Sequence, residues 1–202
     1  RREPGGLPVA NGCSQSGPCC QRGADRTDSV LSGAELGVVV LQDVRYAPGP
    51  VSIQSQAGAQ LQGNINASPY HMGKREFRER MLATRASDNE MIVCYLNMVG
   101  GQDELVFDGA SLIFDQGGRL IARGKQFEEE MLVVDLDVEA VFRSRLHDPR
   151  RRKEPIFPVL AAVATPESVL SEEQRGTPRP AIAHEEVNLL DAAVEVSAAR
   201  VT

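Results

Sequence analysis

Three short apolar runs, residues 36–41, 61–65 and 91–99, alternate with stretches of helical character, and this alternation most limits the folds open to the chain. The first, Leu36-Gly37-Val38-Val39-Val40-Leu41, is rich in β-branched residues and suits a strand buried on both faces. Residues 51–60 read as a short helix entered through Pro50, whose fixed φ favours a first helical position. The strongest helix spans residues 74–85: Phe77, Met81 and Leu82 share one face, and Glu76 with Arg80 forms a favourable i,i+4 pair. Asp88-Asn89 closes it. Residues 111–114 and 119–122 flank Gly117-Gly118 and predict a β-hairpin, because such turns need positive φ. Residues 131–136 predict one more strand, and residues 138–147 a helix that stops before Pro149. Strand, helix, strand, helix, strand and hairpin is an α/β order, which implies a mixed sheet with helices packed on it.

The two ends lack this pattern. Residues 1–34 are rich in Gly, Pro, Ser and Arg and are expected to be an irregular leader, since such a composition cannot repay the entropy of ordering. A domain is expected over residues 35–154. Arg150-Arg151-Arg152-Lys153 reads as a solvated linker, and residues 155–202 as a linker or tail, with a helix at 192–199. A net charge of −6 argues against a nucleic-acid partner, which calls for clustered Lys and Arg. No run of apolar residues is long enough for a transmembrane helix, and the first residues carry no apolar signal-peptide core, so a cytoplasmic protein is expected. Cys13, Cys19 and Cys20 have neither metal-ligand spacing nor a nearby His and read as incidental thiols. Cys94, inside an apolar run, reads as a small buried hydrophobe rather than a nucleophile.

Chemistry is expected at the carboxyl ends of the strands, where ligands collect in α/β sheets. Leu41, Asn66 to Ser68, and Gly100 to Glu104 all fall there and could face one cleft. Ser68 offers a hydroxyl and Lys74 a positive charge. A helix-capping turn and a solvated first-turn lysine are the plainer readings of the same two residues.

These residues carry a resemblance. Asn66-Ala67-Ser68-Pro69-Tyr70-His71, with Gly73-Lys74-Arg75 and Arg78, resembles the signature turn of the glutaminase part of bacterial glutamine-dependent NAD synthetases, within the nitrilase or carbon–nitrogen hydrolase superfamily. The block from Asn97-Met98-Val99-Gly100-Gly101-Gln102 to Asp108-Gly109 resembles the next motif, and Arg145-Leu146-His147-Asp148-Pro149 the exit from the domain. The likeness runs from about Leu36 to Glu154. It implies part of a nitrilase-like α-β-β-α sandwich. It also implies a reaction in which a cysteine thiolate attacks the side-chain amide of glutamine and releases ammonia, with a glutamate as base and a lysine on the oxyanion. Ser68 and Lys74 match the family's glutamine-binding serine and lysine.

The departures from the family pattern concern catalysis. Counted back from Ser68 without a gap, the family's Cys-Glu-Asp segment falls on Leu41-Gln42-Asp43, so leucine stands at the nucleophile, and Arg45 stands where the family has tryptophan. The base and the oxyanion lysine belong to the family's earlier half, which residues 1–34 do not resemble. No catalytic residue is therefore assigned, and no activity is expected. ATP and magnesium belong to the family's synthetase domain, of which no phosphate-loop motif is present, so no cofactor is expected here. Glutamine, a homo-oligomer or an intact NAD synthetase are the implied partners. Half a sandwich would leave apolar surface and sheet edges open. At roughly 25 cal/mol per Å², a few hundred Å² left wet would make a marginal or partner-dependent fold.

Overall fold

A computed structural model describes residues 27–30, 34–40, 44–45, 49–148, 167–169, 182 and 187–201. Its centre is a seven-stranded mixed sheet in the order β8-β7-β4-β3-β2-β1-β9. The strands are β1 (Thr27–Val30), β2 (Ala34–Val40), β3 (Leu61–Asn66), β4 (Ile92–Asn97), β7 (Leu112–Phe114), β8 (Leu120–Arg123) and β9 (Glu167–Val169). β2, β3 and β4 run parallel, as the predicted strand–helix alternation requires, and β7 and β8 are the antiparallel hairpin turned at Gly118, φ 81°. Thr27–Val30, within the stretch expected to be irregular, pairs antiparallel with β2, and Glu167–Val169 adds beside it in parallel.

Two helices cover one face of the sheet. α1 (Pro50–Ala57) starts on Pro50, as read, and ends at Gly58, whose φ of 124° suits glycine. α2 (Lys74–Asn89) packs on β4 and β7. Val39, Val51, Leu82, Ala86, Val93, Tyr95, Leu112 and Phe114 form the core between these helices and the sheet. α3 (Val138–His147) matches its predicted span. Its Arg145 donates to the carbonyls of Glu90, Gly58 and Ala59, fastening the helix to the loops that enter β3 and β4.

The opposite face explains why the strands are not buried on both sides. Val40, Ile65 and Leu96 are cross-strand neighbours and remain 52%, 50% and 57% exposed. Their neighbours in sequence, Val39, Asn64 and Tyr95, point at the helices and are buried. Strand side chains alternate, and helices cover only one of the two rows. A cavity of about 650 Å³ lies along this open face, lined in part by Cys94, Leu96, Met98, Ile113, Met131 and Leu132.

Two other expectations are corrected. The buried stripe of α2 is Lys74, Arg78, Leu82, Ala86 and Asn89, while Phe77 is 54% exposed. Phe77 lies one residue, about 100° of helical turn, away from Arg78, and Arg78 takes the inward place because its charge is paired inside. Residues 131–136 form no strand among the described residues. They run extended, with Leu132, Val134 and Leu136 half-buried and Met131 exposed. Both edges of β4 are taken by β3 and β7, and the segment half-buries one row of side chains without joining the free edge of β8.

Candidate functional site

The β3–α2 turn, carrying Ser68 and Lys74, is held by bonds at both ends. Met98 N donates to Asn66 O at 2.9 Å, and Tyr70 N to Val106 O at 2.7 Å. Pro69 bridges Phe107 of a hairpin, β5 (Val99–Gln102) and β6 (Leu105–Asp108), which forms where the glycine-rich loop was expected. Asp103, φ 55°, makes the hairpin turn. The structure thus brings together two of the three expected strand-end segments, 66–70 and 98–108. The third, Leu41 with Gln42 and Asp43, lies outside the described residues.

Beneath the turn is a buried polar network. Asp108 and Arg78 form a two-point ion pair, Nη2 to Oδ1 at 3.0 Å and Nη1 to Oδ2 at 3.3 Å, with side chains 1% and 3% exposed. Asn97 Nδ2 donates to Asp108 Oδ1 at 3.2 Å and to Gly109 O at 3.0 Å, while its Oδ1 accepts from Ser68 N at 2.9 Å. The Arg78 guanidinium stands 5.6 Å from the centre of the Tyr95 ring. The backbone of Ser68 is therefore positioned by a chain of charge-assisted bonds running to α2.

Lys74 is buried rather than solvated, and its ammonium donates to Pro69 O. An ammonium has three donors, so two remain for a ligand. Burial lowers its pKa first, then the positive charges of Arg78 and Arg45, against the pull of Asp108. With Arg78 neutralised by Asp108, Lys74 and Arg45 leave the turn net positive, a field that favours an anionic group such as an amino-acid carboxylate. Burial also raises the Tyr70 phenol, helped by Glu195 and Asp108.

Sequence reasoning quoted Asn97, Arg78 and Asp108 only as parts of a likeness and missed their role as the frame. The one available signal was their residue types: charged and amide residues next to apolar runs, with partners some 30 positions away that spacing cannot pair. Asn64, 1% exposed with neither amide atom hydrogen-bonded among the described residues, was missed altogether.

Cys94 is a free thiol whose burial pushes it up to about 11. Against the usual value near 9 this means about a hundredfold less thiolate, partly offset by the greater nucleophilicity of the more basic sulfur. Iodoacetamide at neutral pH is expected to alkylate Cys94 about tenfold more slowly than a model thiol, as read by mass spectrometry of the Cys94 peptide; a rate equal to that of the free thiol would contradict this. Cys13, Cys19 and Cys20 lie outside the described residues. Among the described residues no group of three His, Cys, Asp or Glu could hold a metal, and no helix is long and apolar enough to cross a membrane.

The carbon-nitrogen hydrolase family profile matches residues 18–145, well over half of the chain. The chain belongs to the carbon-nitrogen hydrolase family. The match begins inside the stretch read as an irregular leader and ends within α3. Over 123 residues the chain is 45% identical to a glutamine-dependent NAD(+) synthetase of Aquifex aeolicus, covering 61% of this chain and 22% of that protein. A glutamine-dependent NAD(+) synthetase of Thermotoga maritima is 44% identical over 123 residues, covering 60% and 21%. The chain thus spans about a fifth of the length of these relatives. Among solved structures, the glutamine-dependent NAD+ synthetase of Acinetobacter baumannii, in complex with adenosine diphosphate, matches with a TM-score of 0.51 and 30% identity, over 55% of this chain and 21% of that one. A carbon-nitrogen hydrolase of Helicobacter pylori G27 shares the fold, with a TM-score of 0.56 and 22% identity over 64% and 50%.

Proposed function

We propose that this chain is the glutamine-holding portion of a glutaminase of the NAD synthetase kind, and that it holds the amino acid without cleaving its amide. The observation that carries the first half is the framed turn: Ser68 fixed by Asn97 and Asp108, with Lys74 beside it in a cluster of positive charge. Its identity to glutamine-dependent relatives over 123 residues supports the same reading. The second half rests on Leu41, which has no lone pair to attack a carbonyl where the family places its thiolate. Holding glutamine asks for no cofactor, so the ATP and magnesium of the family's synthetase step stay outside this chain's part.

Isothermal titration tests the binding. Glutamine is expected to bind saturably. Ser68→Ala is expected to weaken it about tenfold and Lys74→Ala about tenfold to a hundredfold, the worth of a neutral and a charge-assisted hydrogen bond. Unchanged affinity in both variants would contradict the assignment.

A second role is favoured by the open sheet face. Three adjacent strands present Val40, Ile65 and Leu96 to solvent in one row. In this reading the face docks on an intact NAD synthetase. Wild-type chain is expected to co-elute with such a synthetase and Ile65→Glu to elute alone; equal behaviour of the two would contradict it.

A further inference from the structure

The last helix, α4 (Ala192–Ala199), turns a carboxylate inward. Asp191 caps it, accepting from the amides of Ala193 and Val194 at 2.9 Å. Val194 is 48% exposed, whereas its neighbour Glu195 is 5% exposed. Burying a carboxylate is costly unless it is partnered. Glu195 Oε1 accepts from Gln126 Nε2 at 3.2 Å, a buried bond across 69 residues of sequence.

Gln126 belongs to the strip that backs the Ser68 turn. It bridges Gly109, and its neighbour Phe127 donates from its amide to Asp108 O at 3.0 Å. The Phe127 ring stands edge-on to Tyr70 at 5.3 Å, and Phe127 holds a φ of 60°, which a bulky residue adopts only under constraint. Tyr70 itself follows Pro69 in the turn, its hydroxyl buried and without a hydrogen bond among the described residues. One contact of α4 thus reaches both the Asp108 end of the frame and the Tyr70 end of the turn.

We infer that α4 is a positioning element for the glutamine-holding turn, with Glu195 acting through Gln126 on the Asp108–Gly109 strip and on Tyr70. This rests on the reading of the turn as a glutamine site. Glu195 touches no substrate in it; it sets how firmly the turn is closed.

The test uses the full chain, with Glu195→Ala, Glu195→Gln and Gln126→Ala, and two readouts. The first is amide hydrogen exchange without glutamine at Tyr70 and Gly109, whose amides bond Val106 O and Met98 O. The second is the dissociation constant for glutamine. Glu195→Ala is expected to speed exchange at Tyr70 and Gly109 at least tenfold, with β4 amides unchanged, and to weaken glutamine about tenfold. Glu195→Gln, which can accept the same amide hydrogen, is expected to stay within twofold on both. Gln126→Ala is expected to add nothing to Glu195→Ala in the double variant. Equal effects of Ala and Gln at 195, unchanged exchange at Tyr70, or faster exchange spread over β4 would each overturn the proposal. If the wild-type chain binds no glutamine, the functional reading falls, and the exchange data still decide the role of α4.

Discussion

Asp108→Ala is expected to destabilise the fold by about 3–5 kcal/mol, the cost of leaving one partner of a buried ion pair uncompensated. Asp108 is the acceptor at the centre of the frame: it takes two bonds from Arg78 and one from Asn97. Its loss strands a guanidinium that is 3% exposed and, among the described residues, has Gly109 O and the Tyr95 face left. A domain of this size is stable by about 5–15 kcal/mol, and one with an open sheet face stands low in that range. Urea denaturation followed by far-ultraviolet circular dichroism reads the effect. Arg78→Ala should fall in the same range, and the double variant should cost less than the sum of the singles, because neither charge is then stranded. A loss under about 1 kcal/mol for Asp108→Ala would mean that the pair is exchangeable with water and that the turn is held by something else.

The other large effect is an absence. Glutamine incubated with the chain is expected to yield no ammonia above buffer, and Leu41→Cys is expected to add none. Enzymes speed such reactions at least about a millionfold, so even a crippled site would be visible in a coupled ammonia assay. Leucine cannot attack the amide. In this reading a cysteine placed there supplies sulfur without the base that makes it a thiolate, and an unassisted thiol is only a few per cent ionised at neutral pH. Turnover in the Leu41→Cys variant would show that a base stands ready at the site and that Leu41 alone silences it.

Much of the scaffold was legible because it is written in local pattern. The apolar runs gave three parallel strands in their places, Pro50 marked the start of α1, Gly118 turned the hairpin, and α3 lay on its predicted span. What was not legible depends on partners distant in sequence. An apolar run shows that a strand can be buried, not whether both of its faces find cover, so the exposure of Val40, Ile65 and Leu96 could not be read from residues 36–41, 61–65 and 91–99. Helical periodicity put Phe77 inside, but Arg78 went in because Asp108, 30 residues on, accepts its charge. Residues 131–136 had a strand's composition, but composition does not supply a ladder, and the segment pairs with no strand among the described residues. The helix at 192–199 was legible as a helix, but the burial of Glu195 against Gln126 was not.

The most direct single measurement follows glutamine labelled with nitrogen-15 in its side-chain amide by nuclear magnetic resonance in the presence of the chain. Broadening of the amide signal is expected to grow with chain concentration, to need about tenfold more chain in Ser68→Ala, and never to be accompanied by an ammonium signal. An ammonium signal that grows with time and is lost in Ser68→Ala, or an amide signal the chain leaves untouched, would contradict it.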